Sequence, residues 1–312
     1  MPTASSTTPS SSEAPATPLD PALERDISLL RASLQNALPA GSSPLLLSSS
    51  FLERCLRSKQ LSVARAEGVV RRYAQFRQLP GWSTIHAESV AREARTAFNT
   101  VLPCTDACGR VVFTQRMSRL DLRLADAEPD KGPTTIEAYQ RMAYYCLHRA
   151  LHAHGPHAGL ALLIDFRGFS WGKIARMRWS DFRRGIAMVE QSFPARLDCI
   201  YVLHPPSWIT RLLAVLRPFL RKSSLQKKLV LLYHEEELLA HIPRKHLPAE
   251  FGGLGQAEPW ETTFDRWRFQ EQQWQSAAQE TGGGTGEARV PFDCLMLIAG
   301  EGELYRGGAG AA

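Results

Sequence analysis

The sequence predicts an α/β fold, in which a mostly parallel sheet follows a small helical N-terminal lobe. The first observation is a set of short, continuous apolar runs at 160–165, 199–203 and 229–233, which is typical of buried parallel strands. The second is that segments with helical spacing separate these runs, so that strand, helix and strand alternate. The third is that the segment 19–79 shows helical spacing only.

The composition is that of a folded protein with a substantial core. The chain has 312 residues, of which 44% are hydrophobic and 22% charged, enough for one large domain or two small ones. No apolar run approaches the ~18 residues of a membrane span, and the N-terminus lacks the pattern of a signal peptide. The 6 cysteines are scattered, as is ordinary for thiols in a reducing compartment. We therefore expect a soluble, cytoplasmic protein.

Composition also divides the chain into four parts. Residues 1–18 are mostly Ser, Thr and Pro, and they bury too little to offset the entropy of ordering, so we expect a disordered tail. We expect a helical lobe over 19–80 and the α/β domain over 81–255. A C-terminal extension over 256–312 is rich in aromatic residues, and its placement is left open.

Two apolar stripes with three- and four-residue spacing predict two helices in the lobe. The polar positions beside them are mostly basic, which is ordinary for a solvated helix face and also suits an anionic partner. The first stripe consists of Phe51, Leu52, Cys55 and Leu56, and the second of Ala66, Val69, Val70, Tyr73 and Phe76.

Turn and capping signals place further elements in the α/β domain. The turn at 106–109 leads into the apolar run 111–113, which predicts a strand. Thr134 and Glu137 have the spacing of a capping box ahead of an amphipathic helix over 136–151. The segments expected to be helical between and after the apolar runs are 182–193, 207–220 and 235–241.

The helix expected over 207–220 is apolar nearly all round. Such a helix is rare in a globular protein unless both sides are buried, yet Arg211 and Arg217 oppose complete burial. Two interpretations stay open. It is either a core helix whose arginines reach solvent, or a gate that covers an apolar cavity on one side and touches lipid on the other.

The segment 205–228 contains six Arg or Lys residues and no carboxylate. Each basic residue near an anionic membrane contributes about 1 kcal/mol, which favours reversible docking on acidic or phosphoinositide lipid. Nucleic acid is the competing partner. Because zinc-finger spacing and an RNA-binding aromatic signature are both missing from the sequence, we expect no nucleic-acid partner.

Five segments together resemble the CRAL-TRIO lipid-binding family, which includes secretory phosphatidylinositol transfer proteins. The first of them is similar to the family's helical N-terminal lobe. Two others, around Pro194 and at the end of the match, are similar to the lipid-binding domain of a non-receptor protein tyrosine phosphatase, without its catalytic domain. The five segments are 51–77, 159–171, 191–209, 216–232 and 241–253.

The resemblance implies a sheet that forms the floor of a deep apolar pocket, closed by a mobile helix that matches 207–220. Family members that bind phosphatidylinositol use a Glu in a Pro-Glu-Arg segment and a Lys that opens the strand after the gate. Here Lys228 matches the Lys, whereas the other segment reads Pro194, Ala195 and Arg196. Since the carboxylate that would accept hydrogen bonds from inositol hydroxyls is missing, we do not expect an inositol headgroup inside the pocket.

Strand alternation and helix faces select the candidate residues of this implied pocket. Ser170 follows a strand, where it either donates to a lipid phosphate or caps its own backbone. The lipid-pocket candidates are Leu162, Ile164, Ser170, Val202, Trp208, Leu212, Val215 and Phe219. The candidates for an anionic headgroup patch are Arg217, Arg221, Lys222, Lys227 and Lys228.

One motif invites an enzymatic interpretation. Cys104 and Arg110 have the C-x5-R spacing of cysteine phosphatases, in which a thiolate attacks phosphate and the Arg binds it. That loop should precede a helix N-terminus, whereas here a predicted strand follows it. We expect no catalytic residue and no cofactor.

A group of histidines invites a metal interpretation. His148 and His152 are one turn apart on a predicted helix, and His154 and His157 follow. No Cys or carboxylate completes a site, so we expect a solvent-exposed helix end and no metal.

These observations predict a lipid-binding or lipid-transfer protein that is not an enzyme. Its expected partners are a phospholipid or other hydrophobic small molecule and the anionic surface of intracellular membranes, on which it would be peripheral. The alternative is a noncatalytic interaction module for a small GTPase or another signalling protein. The aromatic segment 260–274 would serve such contacts, although core packing is its more ordinary use.

Overall fold

A computed structural model describes residues 20–83, 85–121, 135–154, 158–169, 180, 184–185, 187–209, 228–256 and 258–280. The expected N-terminal tail lies outside the described residues, as does most of the helix expected over 207–220. Within the segment 182–193, expected to be helical, the structure has a π-helical turn at Met188–Ser192. The helices are α1 (Pro21–Leu34), α2 (Ser49–Ser58), α3 (Val63–Arg77), α4 (Ala87–Arg95), α5 (Ile136–His154), α6 (Glu235–Leu238) and α7 (Trp260–Glu280). The strands are β1 (Asn99–Thr105), β2 (Val111–Arg116), β3 (Gly159–Asp165), β4 (Arg196–Leu203) and β5 (Leu229–Leu232).

Polar caps begin the first helices of the lobe. The Asp20 carboxylate accepts a hydrogen bond from the Ala22 N–H at 3.0 Å, at the start of α1. Ser48 Oγ accepts one from the Phe51 N–H at 3.4 Å, at the start of α2. Each cap satisfies a backbone donor that the helix leaves unpaired. The two apolar stripes predicted in the lobe become the inner faces of α2 and α3, and their fully buried members are Leu52, Cys55, Leu56, Ala66, Val69 and Val70.

The five strands form one sheet in the order β1-β2-β3-β4-β5. Strands β2 to β5 pair in parallel, and β1 pairs antiparallel with β2. The mostly parallel sheet is therefore confirmed. Strand β1 was not predicted, because Pro103 interrupts its apolar pattern. In the structure its register with β2 shifts between Val101 and Thr105. Proline is tolerated in such an edge strand, where its missing N–H leaves no ladder bond unmade.

The two faces of the sheet bury different partners. Ala161 and Leu163 of β3 lie in one apolar cluster with Leu238 of α6. Their neighbours Leu160 and Leu162 lie against a second cluster, formed with the lobe helices and α5. Successive side chains of a strand point to opposite faces, so one buried strand supplies both clusters.

The start of α5 differs from the prediction. Thr134 lies outside the described residues, and the cap is supplied one residue later, where Thr135 Oγ1 accepts a hydrogen bond from the Ala138 N–H at 3.2 Å. Glu137 accepts a hydrogen bond from Trp82 Nε1 at 3.1 Å. Its carboxylate therefore joins α5 to the end of the lobe, a contact between residues distant in the chain.

The C-terminal extension forms α7, which packs on α4 and α5. Glu271 is buried and accepts hydrogen bonds from the Ala87 N–H at 3.0 Å and from the Tyr145 hydroxyl at 2.7 Å. The Trp267 ring lies 5.1 Å from the Tyr145 ring, whereas Phe269 is exposed. Trp267 thus serves core packing, the ordinary use of such residues.

Candidate functional site

One face of β3 and β4 carries a row of apolar side chains that are only half-buried. Leu162 and Ile164 of β3 are the register partners of Ile200 and Val202 of β4, so all four share a face. Leu162, Ile164 and Ile200 are half-buried, although they lie on central strands of the sheet. The opposite face of β3 is different, since Leu163 is completely buried. Leu162, Ile164 and Ile200 form the partly exposed portion of this row, which we call the apolar floor together with the buried Val202. Leu162 and Ile200 also pack in part against the cluster formed with the lobe helices and α5.

The apolar floor continues onto β5. Leu229 is the register partner of Ile200, and Leu231 is the partner of Val202. Both leucines are half-buried. The site prediction included Leu162, Ile164 and Val202 but missed Ile200, Leu229 and Leu231, which the same strand alternation would have found.

The predicted pocket residue Trp208 lies against two phenylalanine rings at the carboxyl ends of β3 and β4. The Trp208 ring centroid is 6.0 Å from that of Phe166 and 6.1 Å from that of Phe169. All three side chains are half-buried. Because Phe166 directly follows β3, this aromatic group lies at the carboxyl edge of the sheet.

A charged network lies at the same edge. Asp165, at the end of β3, is buried and accepts hydrogen bonds from Arg167 Nη2 at 2.9 Å and from the backbone N–H of Arg167 at 3.0 Å. His204, just after β4, has its Nδ1 3.1 Å from the Asp165 carboxylate and its Nε2 3.2 Å from the Glu235 carboxylate. Burial by itself raises the pKa of Asp165, but the hydrogen bonds from Arg167 and His204 lower this pKa below its ordinary value. The sequence analysis did not select these residues.

A cleft of about 230 Å³ lies at the opposite, amino-terminal edge of the sheet, between α2 and the starts of β3 and β4. Three arginines line it. Arg57 Nε is 2.7 Å from Glu53, and Arg196 Nε is 2.7 Å from Asp198. The residues lining this arginine cleft are Arg54, Arg57, Ser58, Gln60, Leu61, Leu151, Ala158, Pro194, Ala195 and Arg196.

Arg54 is the least compensated of the three arginines. Its Nη2 donates to the Leu151 carbonyl at 3.5 Å, while its buried Nε has no hydrogen-bond partner among the described residues. Burial lowers the pKa of the Arg54 guanidinium, although Glu53 and other neighbours oppose this. An arginine keeps its charge in a protein, so the three arginines make the cleft cationic, and the carboxylates of Glu53 and Asp198 offset part of this charge.

Lys228 lies at the same edge, where β5 begins. Its Nζ donates a hydrogen bond to the Leu197 carbonyl of β4. Arg196 and Leu197 open β4, so the cation of Lys228 and the arginine cleft share one edge of the sheet. The remaining predicted site residues lie outside the described residues: Ser170, Leu212, Val215, Phe219, Arg217, Arg221, Lys222 and Lys227.

Cys104 lies in β1, and the loop after it is a turn between two strands. The Asp106 carboxylate accepts hydrogen bonds from the backbone N–H groups of Cys108 at 2.9 Å and Arg110 at 3.0 Å, and from Arg110 Nε at 2.7 Å. These donors are the ones that a phosphate loop would offer to its ligand. Burial also raises the pKa of the Cys104 thiol, which disfavours the thiolate.

His148 corrects the prediction of a solvent-exposed helix end. Its side chain is buried, with the Tyr144 and Phe193 rings 4.3 and 4.7 Å from its own. Burial lowers the pKa of His148 well below its ordinary value, and Arg54 and Arg77 add to this. The rings around this histidine come from α3, from α5 and from Phe193. The spacing of residues along one helix does not predict such contacts with other elements. In the described part of the chain, no group of three or more His, Cys, Asp and Glu side chains could hold a metal ion.

Among the helices of the described ranges, none is both long enough and apolar enough to cross a bilayer.

Comparison with known proteins identifies relatives over most of the chain. The family model described as CRAL/TRIO domain matches residues 96–253. The chain is 25% identical over 234 residues to the Alpha-tocopherol transfer protein-like protein of Mus musculus. The aligned region covers 73% of this chain and 64% of that protein. It is 26% identical over 211 residues to Clavesin-1 of Xenopus laevis, covering 65% of this chain and 60% of the relative.

One solved structure was also compared. The structure titled Crystal structure of Sfh5 aligns with a TM-score of 0.48 and 12% sequence identity, over 89% of this chain and 96% of that one.

Proposed function

Because the chain belongs to the CRAL/TRIO domain family, we propose that it binds one hydrophobic ligand above the apolar floor and carries it between membranes. The observation that carries the proposal is the exposure of apolar side chains on central strands. Ile164 and Val202 are register partners on the floor, and Ile164 is half-buried. Burying a ligand chain there gains about 0.8 kcal/mol per methylene, so an apolar lining supplies useful affinity.

The ligand is a phospholipid or another hydrophobic small molecule. A relative covering most of this chain is named for alpha-tocopherol transfer, which agrees with a largely apolar ligand. Ala195 stands where the phosphatidylinositol binders of this family have a carboxylate that accepts hydrogen bonds from inositol hydroxyls. This favours a ligand without an inositol head.

The second part of the proposal is reversible docking on anionic membranes through the amino-terminal edge of the sheet. Lys228 and the arginine cleft lie together at this edge. Each basic side chain near an anionic surface contributes about 1 kcal/mol, so a few of them hold the protein reversibly. The other members of the predicted patch, Arg217, Arg221, Lys222 and Lys227, lie outside the described residues.

Native mass spectrometry of the purified protein tests the cargo. We expect one lipid class at close to one molecule per chain, identified after organic extraction. In the Ile164→Trp variant the larger side chain fills the space above the floor, so the bound lipid should be lost while the variant still unfolds in one cooperative transition, at a midpoint lowered by the loss of the ligand. Leu254→Trp is the matched control, because Leu254 is 71% exposed and follows Phe251, which packs in the cluster on the other face of the sheet.

Two results would count against the cargo proposal. An empty wild-type protein that also takes no lipid from vesicles would favour the interaction-module interpretation. Full lipid occupancy in a folded Ile164→Trp variant would place the ligand somewhere other than the apolar floor.

A further inference from the structure

The turn between α2 and α3 has an unusual backbone. Gln60 and Leu61 have φ values of 57° and 60°, the left-handed region that favours glycine. The Leu61 N–H donates to the Leu56 carbonyl at 2.8 Å and the Gln60 N–H to the Arg57 carbonyl at 3.3 Å, which closes the end of α2. Non-glycine residues in this region cost about 1 to 3 kcal/mol each and persist where the surrounding structure or function requires them. We call these two residues the 60–61 turn.

The 60–61 turn presents an apolar side chain to solvent. After a helix that ends in this way, the residue at the position of Leu61 ordinarily packs against the last turn of the helix. Leu61 is still 46% exposed. A single exposed leucine is ordinary on a protein surface, but this one lies in a turn whose backbone conformation costs free energy.

The position of Leu61 indicates what it contacts. Leu61 and Gln60 line the arginine cleft together with Arg54 and Arg196, and none of the described residues that line the cleft is acidic. Arg57 and Arg196, which also line the cleft, have side chains that are 30% and 54% exposed. A surface that offers phosphate groups and, directly beside them, an apolar layer would match these arginines and Leu61 at once. An anionic lipid bilayer has this layered chemistry.

We propose that the 60–61 turn is a membrane-contact element, in which Leu61 enters the acyl boundary of an anionic bilayer beside the arginine cleft. This inference rests on the docking part of the proposed function and adds an apolar anchor to it. It also sets the orientation of the docked protein, because the corner between α2 and α3 then faces the membrane.

Sedimentation with vesicles of phosphatidylcholine and phosphatidylserine tests the inference. We expect Leu61→Asp to bind about tenfold more weakly than the wild type, since inserting a leucine side chain gains roughly the free energy of burying it. Leu29→Asp is the matched control, because Leu29 is 55% exposed on α1 and should bind the vesicles unchanged.

Leu61→Gly separates docking from folding. Glycine adopts a positive φ without strain, so this variant should unfold at the same temperature as the wild type or a higher one. It should nevertheless bind the vesicles several-fold more weakly, because the apolar side chain is gone. A loss of binding together with a raised unfolding temperature cannot come from misfolding.

Either of two results would overturn the inference: wild-type affinity for the vesicles in both Leu61 variants, or no vesicle binding by the wild type itself. The cargo is measured separately by native mass spectrometry in the same variants. Retained lipid with unchanged docking would reject the membrane role of Leu61 alone, whereas missing lipid in the wild type would reject the carrier proposal.

Discussion

The Nδ1 atom of His204 lies 3.1 Å from Oδ1 of Asp165, which links the residue after β4 to the buried carboxylate at the end of β3. His204 has a φ of 50°, and its backbone N–H donates to the Leu232 carbonyl of β5 at 2.8 Å. Three neighbouring strands are thus joined at the carboxyl edge, directly before the segment 205–209 that leads away from the sheet.

The Asp165 network should make stability depend on pH in the acid range. Because the pKa of Asp165 is lower in the folded protein than in the unfolded chain, its carboxylate contributes stability that is fully present above the unfolded pKa and is lost as pH falls through the folded pKa. Asp165→Ala should destabilise the protein at neutral pH by about 3 kcal/mol, since it leaves Arg167 and His204 without this partner. Denaturant unfolding between pH 7 and pH 3 measures both effects.

A control exists for the Asp165 prediction. Asp198 pairs with Arg196 at 2.7 Å on the surface, and such exposed pairs contribute about 0 to 1 kcal/mol. Asp198→Ala should therefore unfold nearly as the wild type does. If both variants lost the same free energy of unfolding, the Asp165 network would contribute no more than a surface ion pair.

Two adjacent residues of β3 should separate stability from ligand binding. Leu163 is completely buried on the face that packs on α6, so Leu163→Ala should cost about 3 kcal/mol and leave lipid binding intact in the folded fraction. Ile164 lies on the apolar floor and is half-buried, so Ile164→Ala should cost about 1 kcal/mol and weaken lipid retention. Denaturant unfolding and quantification of bound lipid give the two readouts. The reverse pattern would assign the ligand to the other face.

The contact of α7 with α4 and α5 should depend on Glu271. This buried carboxylate accepts hydrogen bonds from the Ala87 N–H and the Tyr145 hydroxyl. Glu271→Ala removes the carboxylate that accepts both hydrogen bonds and should lower the free energy of unfolding by about 2 kcal/mol. Glu261→Ala, at an exposed position of the same helix, is the control and should change little. Limited proteolysis then tests the contact directly, since cleavage within α7 should accelerate only in the Glu271 variant.

The cysteines should differ sharply in reactivity with a thiol reagent. Burial raises the pKa of Cys55 and of Cys146 to about 12, so neither forms a thiolate in the native protein at neutral pH. Among the cysteines in the described ranges, Cys108 is exposed in the turn after β1 and should react first. Mass spectrometry of the labelled peptides identifies the sites, and a Cys108→Ser variant should lose the fast phase. Fast labelling of Cys55 in the native state would contradict the packing of α2 against α1 and α3.

Elements with local sequence signals could be predicted before the fold was known. The apolar runs of β3, β4 and β5 and the stripes of α2 and α3 were readable because hydrophobic spacing follows directly from strand and helix geometry. Strand alternation also placed Leu162, Ile164 and Val202 on one face, and their shared face follows from the register of β3 with β4. Strand β1 escaped because an edge strand that contains Pro103 lacks that spacing.

Contacts between residues that are distant in the chain depend on tertiary packing and were not predicted. The arginine cleft joins Arg54 of α2 to Arg196 of β4, and the network at the other edge joins Asp165 to His204 and Glu235. The burial of His148 depends in the same way on rings from other elements. Such contacts depend on how helices and strands pack, and a spacing pattern records only which side of its own element a residue occupies. The sequence therefore predicted the sheet and its apolar face, whereas the charged sites at its two edges arose from the packing.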